Sequence, residues 1–172
     1  MMCSYKEFIN KVKLNEYSYE DIKIYLHLNQ PRYKRLPKKI RYDIELIKIT
    51  IADERNYKYI PKKLKKDINL IIELVKINKR LFEKLNEKLK KIPEILLIGL
   101  IEDFDNIKYL DESIKNDENF VLSYIKFSHP TIKKEVISKD LLNSKEFVQK
   151  AIDLSPIIYN MLNDKLKSDK DI

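Results

Sequence analysis

Glycine and cysteine each occur once in the 172 residues, histidine twice and tryptophan never. A lone Gly99 cannot build a glycine-rich phosphate loop, a dinucleotide fingerprint or a nucleophile elbow, because each needs several residues at positive φ or in close backbone approach. A lone Cys3 excludes an internal disulfide and fits a reducing compartment. His27 and His129 stand far apart, with no cysteine or paired acids at metal-ligand spacing beside them, so no metal site is assigned. Ser/His/Asp or Cys/His catalysis would need Cys3 or a serine to meet one of these histidines, and no spacing provides for that. No catalytic or cofactor-binding residue is assigned either, and the chain is expected not to be an enzyme. The acids of Glu102-Asp103-Phe104-Asp105 lack the glycine and the distal glutamate of a helix–loop–helix calcium site, and are expected to form a solvated loop.

Long apolar runs are also missing. Ile95-Leu96-Leu97-Ile98-Gly99-Leu100-Ile101 is far shorter than the roughly 20 residues a bilayer needs, and is expected to be a buried helix. The start, Met1-Met2-Cys3-Ser4-Tyr5-Lys6-Glu7-Phe8, has no cationic leader followed by an apolar stretch. No membrane association and a cytoplasmic location, in its own cell or in a host, are therefore expected.

Apolar residues make up 44% of the chain and charged residues 36%, a globular composition with enough length for a real core. A single domain over 1–172 is expected. The formal charge is +8, but residues 1–84 hold 21 basic and 11 acidic residues, whereas 85–172 hold 14 and 16. An uneven surplus points to one surface facing an acidic partner. Abundant Ile, Lys, Asn and Tyr also fit an AT-rich genome, which raises lysine without any partner.

Self-similarity organises the chain. Leu36-Pro37-Lys38-Lys39-Ile40-Arg41-Tyr42-Asp43-Ile44-Glu45-Leu46-Ile47 is matched by Ile60-Pro61-Lys62-Lys63-Leu64-Lys65-Lys66-Asp67-Ile68-Asn69-Leu70-Ile71. The frame recurs from Leu85, Leu110, Ile137 and, truncated, Leu162, in steps of 24, 25, 25, 27 and 25 residues. Four residues after each start come Ile40, Leu64, Leu89, Ile114, Leu141 and Leu166, the i, i+4 apolar pair of a short helix A. Pro37, Pro61, Asn86, Asp111, Ser138 and Asn163 follow the starts, and all suit a helix N-terminus. Asp43, Asp67, Asp117, Ser144 and Asp169 can cap a second helix B, and Ile92 is followed by Pro93 instead.

In helix B the columns Leu46/Leu70/Ile95/Phe120/Phe147, Ile47/Ile71/Leu96/Val121/Val148 and Ile51/Val75/Leu100/Ile125/Ile152 form one buried face. Tyr33, Tyr57, Phe82, Ile107 and Tyr159 precede the repeats as a packing column, with Lys134 the misfit. Helices of about six and eleven residues are too short to stand alone, so they must stack. The expected fold is all-α, a short solenoid of five to six helix pairs with a period of 24–27 residues. Residues 1–35 would hold an N-terminal helix near Lys6–Val12 and a degenerate first unit, 36–161 the tandem repeats, and 162–172 a truncated repeat with a polar tail.

The pattern aromatic-x-x-Leu-Pro-x-x-Leu-Lys-x-Asp-x-x-Leu/Phe-Ile/Val, at Tyr33 to Ile47, Tyr57 to Ile71 and, without the proline, Ile107 to Val121, resembles the helical repeat called domain of unknown function family 4116. The likeness spans roughly residues 20–170 and implies a helical-repeat fold met in bacteria and large DNA viruses, with no catalytic residues attached. Ile92 for the capping Asp, Asn86 for the Pro and Leu142 for the usual Lys depart from it.

Arg41, Lys65, Lys90, Lys115 and Lys167, with Leu142 as the gap, would form a row of cations in stacked repeats, a ladder for successive phosphates. Arg35, Lys38, Lys39, Lys62, Lys63, Lys66, Lys79 and Arg80 surround its first rungs. Eight of the eleven tyrosines share that half, as base stacking along a single strand would use. Solvated lysines beside capping acids explain the same cations without a ligand. Two functions are therefore carried forward. One is a protein-interaction module, monomeric in isolation, acting as an inhibitor or adaptor of a nucleic-acid-handling host protein, for example in viral or mobile-element anti-defence. The other is direct nucleic-acid binding through the basic half.

Overall fold

The computed structural model describes residues 4–29, 36–128, 130–170 and 172, and every regular element among them is helical. The chain divides into two compact units, Met1–Leu85 and Asn86–Ile172. The first holds α1 (Tyr5–Lys13), α2 (Tyr19–Asn29), α3 (Lys38–Arg41), α4 (Ile44–Thr50) and α5 (Ile68–Ile77). The second holds α6 (Glu87–Lys90), α7 (Pro93–Glu102), α8 (Glu112–Lys115), α9 (Glu118–Ser128), α10 (Lys139–Asn143), α11 (Lys145–Leu154) and α12 (Asp164–Lys167).

Side-chain caps set these boundaries. Asp43 Oδ1 accepts from Leu46 N at 3.0 Å, Asp67 Oδ1 from Leu70 N at 3.1 Å and Asp117 Oδ1 from Phe120 N at 3.1 Å. Each satisfies an amide that the helix leaves without a partner. Ser144 caps α11, and at α7 Ile92 offers no acceptor but Pro93 fills the first turn. The short helices start on Asn86, Asp111, Ser138 and Asn163 in the same manner. At α2, Ser18 and Asp21 exchange backbone-to-side-chain bonds as a capping pair.

Three of the expected columns are buried throughout, whereas Leu64 and Leu89 of the helix A column and Ile152 of the third helix B column are only half-buried. Leu36, Ile60, Leu85, Leu110, Ile137 and Leu162 are all buried, as are Leu46, Leu70, Ile95, Phe120 and Phe147, and Ile47, Ile71, Leu96, Val121 and Val148. Leu142, the gap among the cations, is buried too, which is why an apolar residue stands there. In the first unit α2 packs on α4; in the second α9 packs on both α7 and α11. The run 95–101 lies inside α7, with Ile95, Leu96, Gly99 and Leu100 buried.

Several expectations change. The helix A expected after Pro61 is a turn and a 3-10 segment, Leu64–Lys66, in which Leu64 N and Lys65 N share the Pro61 carbonyl at 3.0 and 3.2 Å. In the last repeat, truncated as expected, both carboxylate oxygens of Asp169 accept from Lys145 Nζ at 2.9 Å. Helix A has four or five residues, shorter than expected.

The largest difference is a third element in the repeat. Glu54–Tyr59, Lys79–Lys84, Phe104–Tyr109 and Pro156–Met161 are 3-10 helices between one helix B and the next helix A. Asp53, Asn78 and Asp103 cap the first three by accepting from the amide two residues on. The acidic stretch expected to be a solvated loop is thus the start of an ordered turn. Asn56 Nδ2 then donates to Thr50 O, and Asn106 Nδ2 to Gly99 O, both at 2.9 Å, tying each turn to the end of its preceding helix.

In the fifth repeat Lys134 holds the equivalent place, its carbonyl accepting from Ile137 N as Tyr57 O does from Ile60 N, but its side chain is exposed and the neighbouring Ile132 and Val136 are buried instead. Tyr57 and Phe82 are buried as the packing column requires, whereas Tyr159 is 40% exposed and its hydroxyl donates to Lys167 O.

Truncation of Leu70 or Phe120 to Ala is expected to cost about 2–5 kcal/mol in urea unfolding, and Asp43→Ala about 1 kcal/mol through the lost cap. Near-wild-type midpoints in all three would contradict the burial and capping described.

Candidate interaction surface

The first unit coincides with the basic part of the sequence, since Met1–Leu85 carries all of the surplus cations. Within it, α3 places Lys38 and Lys39 at the surface. Lys38 Nζ lies 5.9 Å from the centroid of the Tyr42 ring, and Lys39 Nζ donates to Asn15 Oδ1 at 2.7 Å. Asn15 holds the left-handed turn between α1 and α2 at φ 57°, a conformation asparagine tolerates better than most residues. Arg41 is half-buried on the same helix.

A second group follows Pro61. Lys62, Lys63 and Lys66 are exposed and enter no ion pair among the described residues. Lys65 differs. Its Nζ sits 4.6 Å from the centroid of the buried Tyr57 ring and donates to Lys58 O at 3.2 Å. Burial, and secondarily the charge of Lys62, pushes its ammonium below the usual lysine value. The 3-10 segments 54–59 and 79–84 pack together. Lys58, Lys79 and Arg80 therefore belong to one surface region with the Lys62–Lys66 turn, while Lys48 is already held between Glu45 and Glu73 at 3.0 and 2.9 Å. Arg35 lies outside the described residues.

Lys90 belongs to the second unit. Its Nζ lies 4.8 Å from the Tyr109 ring centroid and 3.2 Å from the Tyr109 hydroxyl. Lys115 is paired with Glu112 at 2.6 Å. Three rungs of the expected cation row, Lys65, Lys90 and Lys115, thus already hold aromatic or carboxylate partners inside their own units. The tyrosines are similarly committed. Tyr57 is buried, the Tyr25 ring stacks on Phe8 with centroids 3.7 Å apart, and the Tyr19 hydroxyl donates to Asp43 Oδ1 at 3.0 Å. Tyr42 and Tyr19 are 46% and 43% exposed, each with a lysine over its ring, Lys38 at 5.9 Å and Lys23 at 4.9 Å.

His27 is exposed on α2, and Cys3 and His129 lie outside the described residues. No group of three or more His, Cys, Asp or Glu that could hold a metal occurs among the described residues. No helix among them is long and apolar enough to cross a membrane. Comparison with known protein families, with curated proteins and with solved structures found no match for the chain.

The physical content of this surface is an excess of cations whose acids lie elsewhere. Lys65 is the clearest case, a part-buried ammonium with a like charge nearby and a ring and a carbonyl for company. Lys65→Met keeps the aliphatic stem against Tyr57 and removes the desolvated charge. Its urea midpoint is expected to equal or exceed wild type; a loss of more than about 1 kcal/mol would make the cation a structural requirement instead.

Proposed function

We propose that the chain is a non-catalytic helical-repeat protein whose helix pairs stack as a short solenoid, and whose basic unit docks on an acidic surface of another protein. The observation that supports this is the coincidence of two boundaries. The compact unit Met1–Leu85 holds 21 basic and 11 acidic residues, and Asn86–Ile172 holds 14 and 16. Charge gathered on one folded body makes a field that steers an oppositely charged partner and penalises wrong ones. Lys62, Lys63 and Lys66 are among its exposed cations, with Lys38, Lys39, Lys58, Lys79 and Arg80, and an incoming carboxylate would relieve the crowding around Lys65. The protein acts as a monomer in the cytoplasm, as an inhibitor or adaptor of a nucleic-acid-handling partner, and its repeats belong with the family they resemble.

Direct binding of nucleic acid is the second reading, favoured by the exposed Tyr42 ring beside Lys38. An acidic protein fits better, because regularly spaced phosphates would need the row Lys65, Lys90 and Lys115, whose members already hold other partners.

The test is fluorescence anisotropy with a labelled polyglutamate peptide and with labelled single- and double-stranded DNA and RNA over a salt series. Polyglutamate is expected to bind at low salt, more tightly than the nucleic acids, and reversal of Lys62, Lys63 and Lys66 to Glu should weaken it at least tenfold. Tighter, steeply salt-dependent binding to DNA or RNA would transfer the assignment to the second reading. Absence of binding to every probe at low salt would overturn both.

A further inference from the structure

In the second unit the ends of α7 and α9 border a cavity of ≈ 300 Å³. That is near the lower bound of roughly 300–1,000 Å³ for small-ligand sites, enough for a single planar ring system with a short polar arm. Its walls are apolar. Leu100 and Ile101 come from the last turn of α7, Phe104 from the 3-10 segment that follows, and Phe127 from the last turn of α9. Neither phenylalanine is stacked on another ring among the described residues, and Phe127 is 60% exposed. Rings left in this state take a further aromatic group edge-on or offset.

The polar side of the cavity is more specific. Tyr124 and Ser128, one helical turn apart on α9, are buried, and both line the cavity. The Tyr124 hydroxyl accepts from Lys133 N at 3.2 Å, whereas Ser128 Oγ makes no hydrogen bond of ordinary geometry. The two hydroxyls are neighbours: burial raises the Tyr124 phenol above its usual pKa, and the Lys133 amide and the Ser128 hydroxyl offset part of that rise. Whichever hydroxyl turns toward the other, one O–H proton is left without an acceptor among the described residues. A buried donor in that position is costly until an acceptor reaches it. The helix ends beside it do not provide one. Ser128 O already accepts from Thr131 N at 2.7 Å and from Thr131 Oγ1 at 2.9 Å, and Gly99 O accepts from Asp103 N and Asn106 Nδ2, both at 2.9 Å.

Charge indicates what kind of acceptor fits. Lys133 lines the cavity, and its ammonium enters no ion pair or hydrogen bond among the described residues. Lys126 Nζ stands 5.8 Å from the Phe127 ring centroid. No carboxylate lines the cavity; the charge of Glu135 is felt at Tyr124, but Glu135 is exposed.

We propose that this cavity binds a small aromatic carboxylate, with its ring against Phe104 and Phe127 and its carboxylate accepting from Lys133 Nζ and from the Tyr124–Ser128 hydroxyl pair. The site lies wholly in the second unit and is independent of the basic surface of the first.

Because the chain has no tryptophan, an indole ligand can be excited selectively. The probe is indoleacetate, followed by fluorescence anisotropy on the full chain, with indoleacetamide as the uncharged control of the same shape. Amide chemical shifts in 15N-labelled protein locate the site. Indoleacetate should saturate, bind at least fivefold more tightly than the amide, and shift the amides of Leu100, Phe104 and Ser128. Lys133→Gln should remove the preference for the charged ligand. Ser128→Ala should weaken binding at least threefold while its melting temperature equals or exceeds wild type, because it deletes a hydroxyl that the folded chain leaves unpaired.

Absence of saturation, equal affinity for indoleacetamide, or shifts confined to the lysine-rich first unit would overturn the proposal. So would wild-type affinity in both Lys133→Gln and Ser128→Ala. A clear drop in the melting temperature of Ser128→Ala would show that the hydroxyl is bonded within the fold and would overturn its assignment as a ligand donor.

Discussion

The fold depends on helices that cannot exist alone. A helix of four or five residues falls well short of the length at which isolated helices persist in water, and even the ten- and eleven-residue members are marginal. What stabilises them is the burial of apolar side chains against neighbouring elements, as α4 packs on α2 and α9 on α7 and α11. Each fully buried Leu, Ile, Val or Phe contributes about 1.5–3 kcal/mol against the entropy of ordering its turn. The caps then decide where each helix begins, and the burial decides which face it turns inward. Neither suffices without the other, because a capped helix with no neighbour frays and an uncapped one buries unsatisfied amides.

Much of this was legible in the residues. The apolar columns and the capping acids recur in a fixed frame, so their burial and their boundaries could be read without coordinates. What stayed hidden was the third element of the repeat. Its signal is a column of short polar residues, Asp53, Asn78 and Asp103, spaced like the caps of the longer helices. The column is easily taken for solvated loop because 3-10 turns lack a long apolar stripe. Pro61 misled differently. Proline is an ordinary helix start, and behind Pro61 the chain closes one i→i+4 bond, Lys65 N to Pro61 O, without propagating it into an α-helix, a difference that single-residue preference does not carry.

The candidate surface divides along a similar line. Net charge and its concentration before residue 85 are properties of composition, and they survive folding intact because the compact unit ends at the same place. The expected row of cations was an argument from register alone. Register places Lys65, Lys90 and Lys115 at equivalent positions, yet the aromatic ring or acid beside each differs, and those neighbours determine whether the charge is available. Lys62, Lys63 and Lys66 are exposed and enter no ion pair among the described residues, and they join Lys38, Lys39, Lys58, Lys79 and Arg80 among the cations that face outward.

Native-state hydrogen exchange tests the central claim most directly, namely that one repeated apolar face holds the short helices together. Amides at Ile47, Ile71, Leu96, Val121 and Val148 should fall in the slowest class within their units, with those of the exposed turn residues Tyr42, Lys66 and Lys91 exchanging orders of magnitude faster. Uniformly fast exchange across the long helices, or slow exchange confined to one of them, would contradict it.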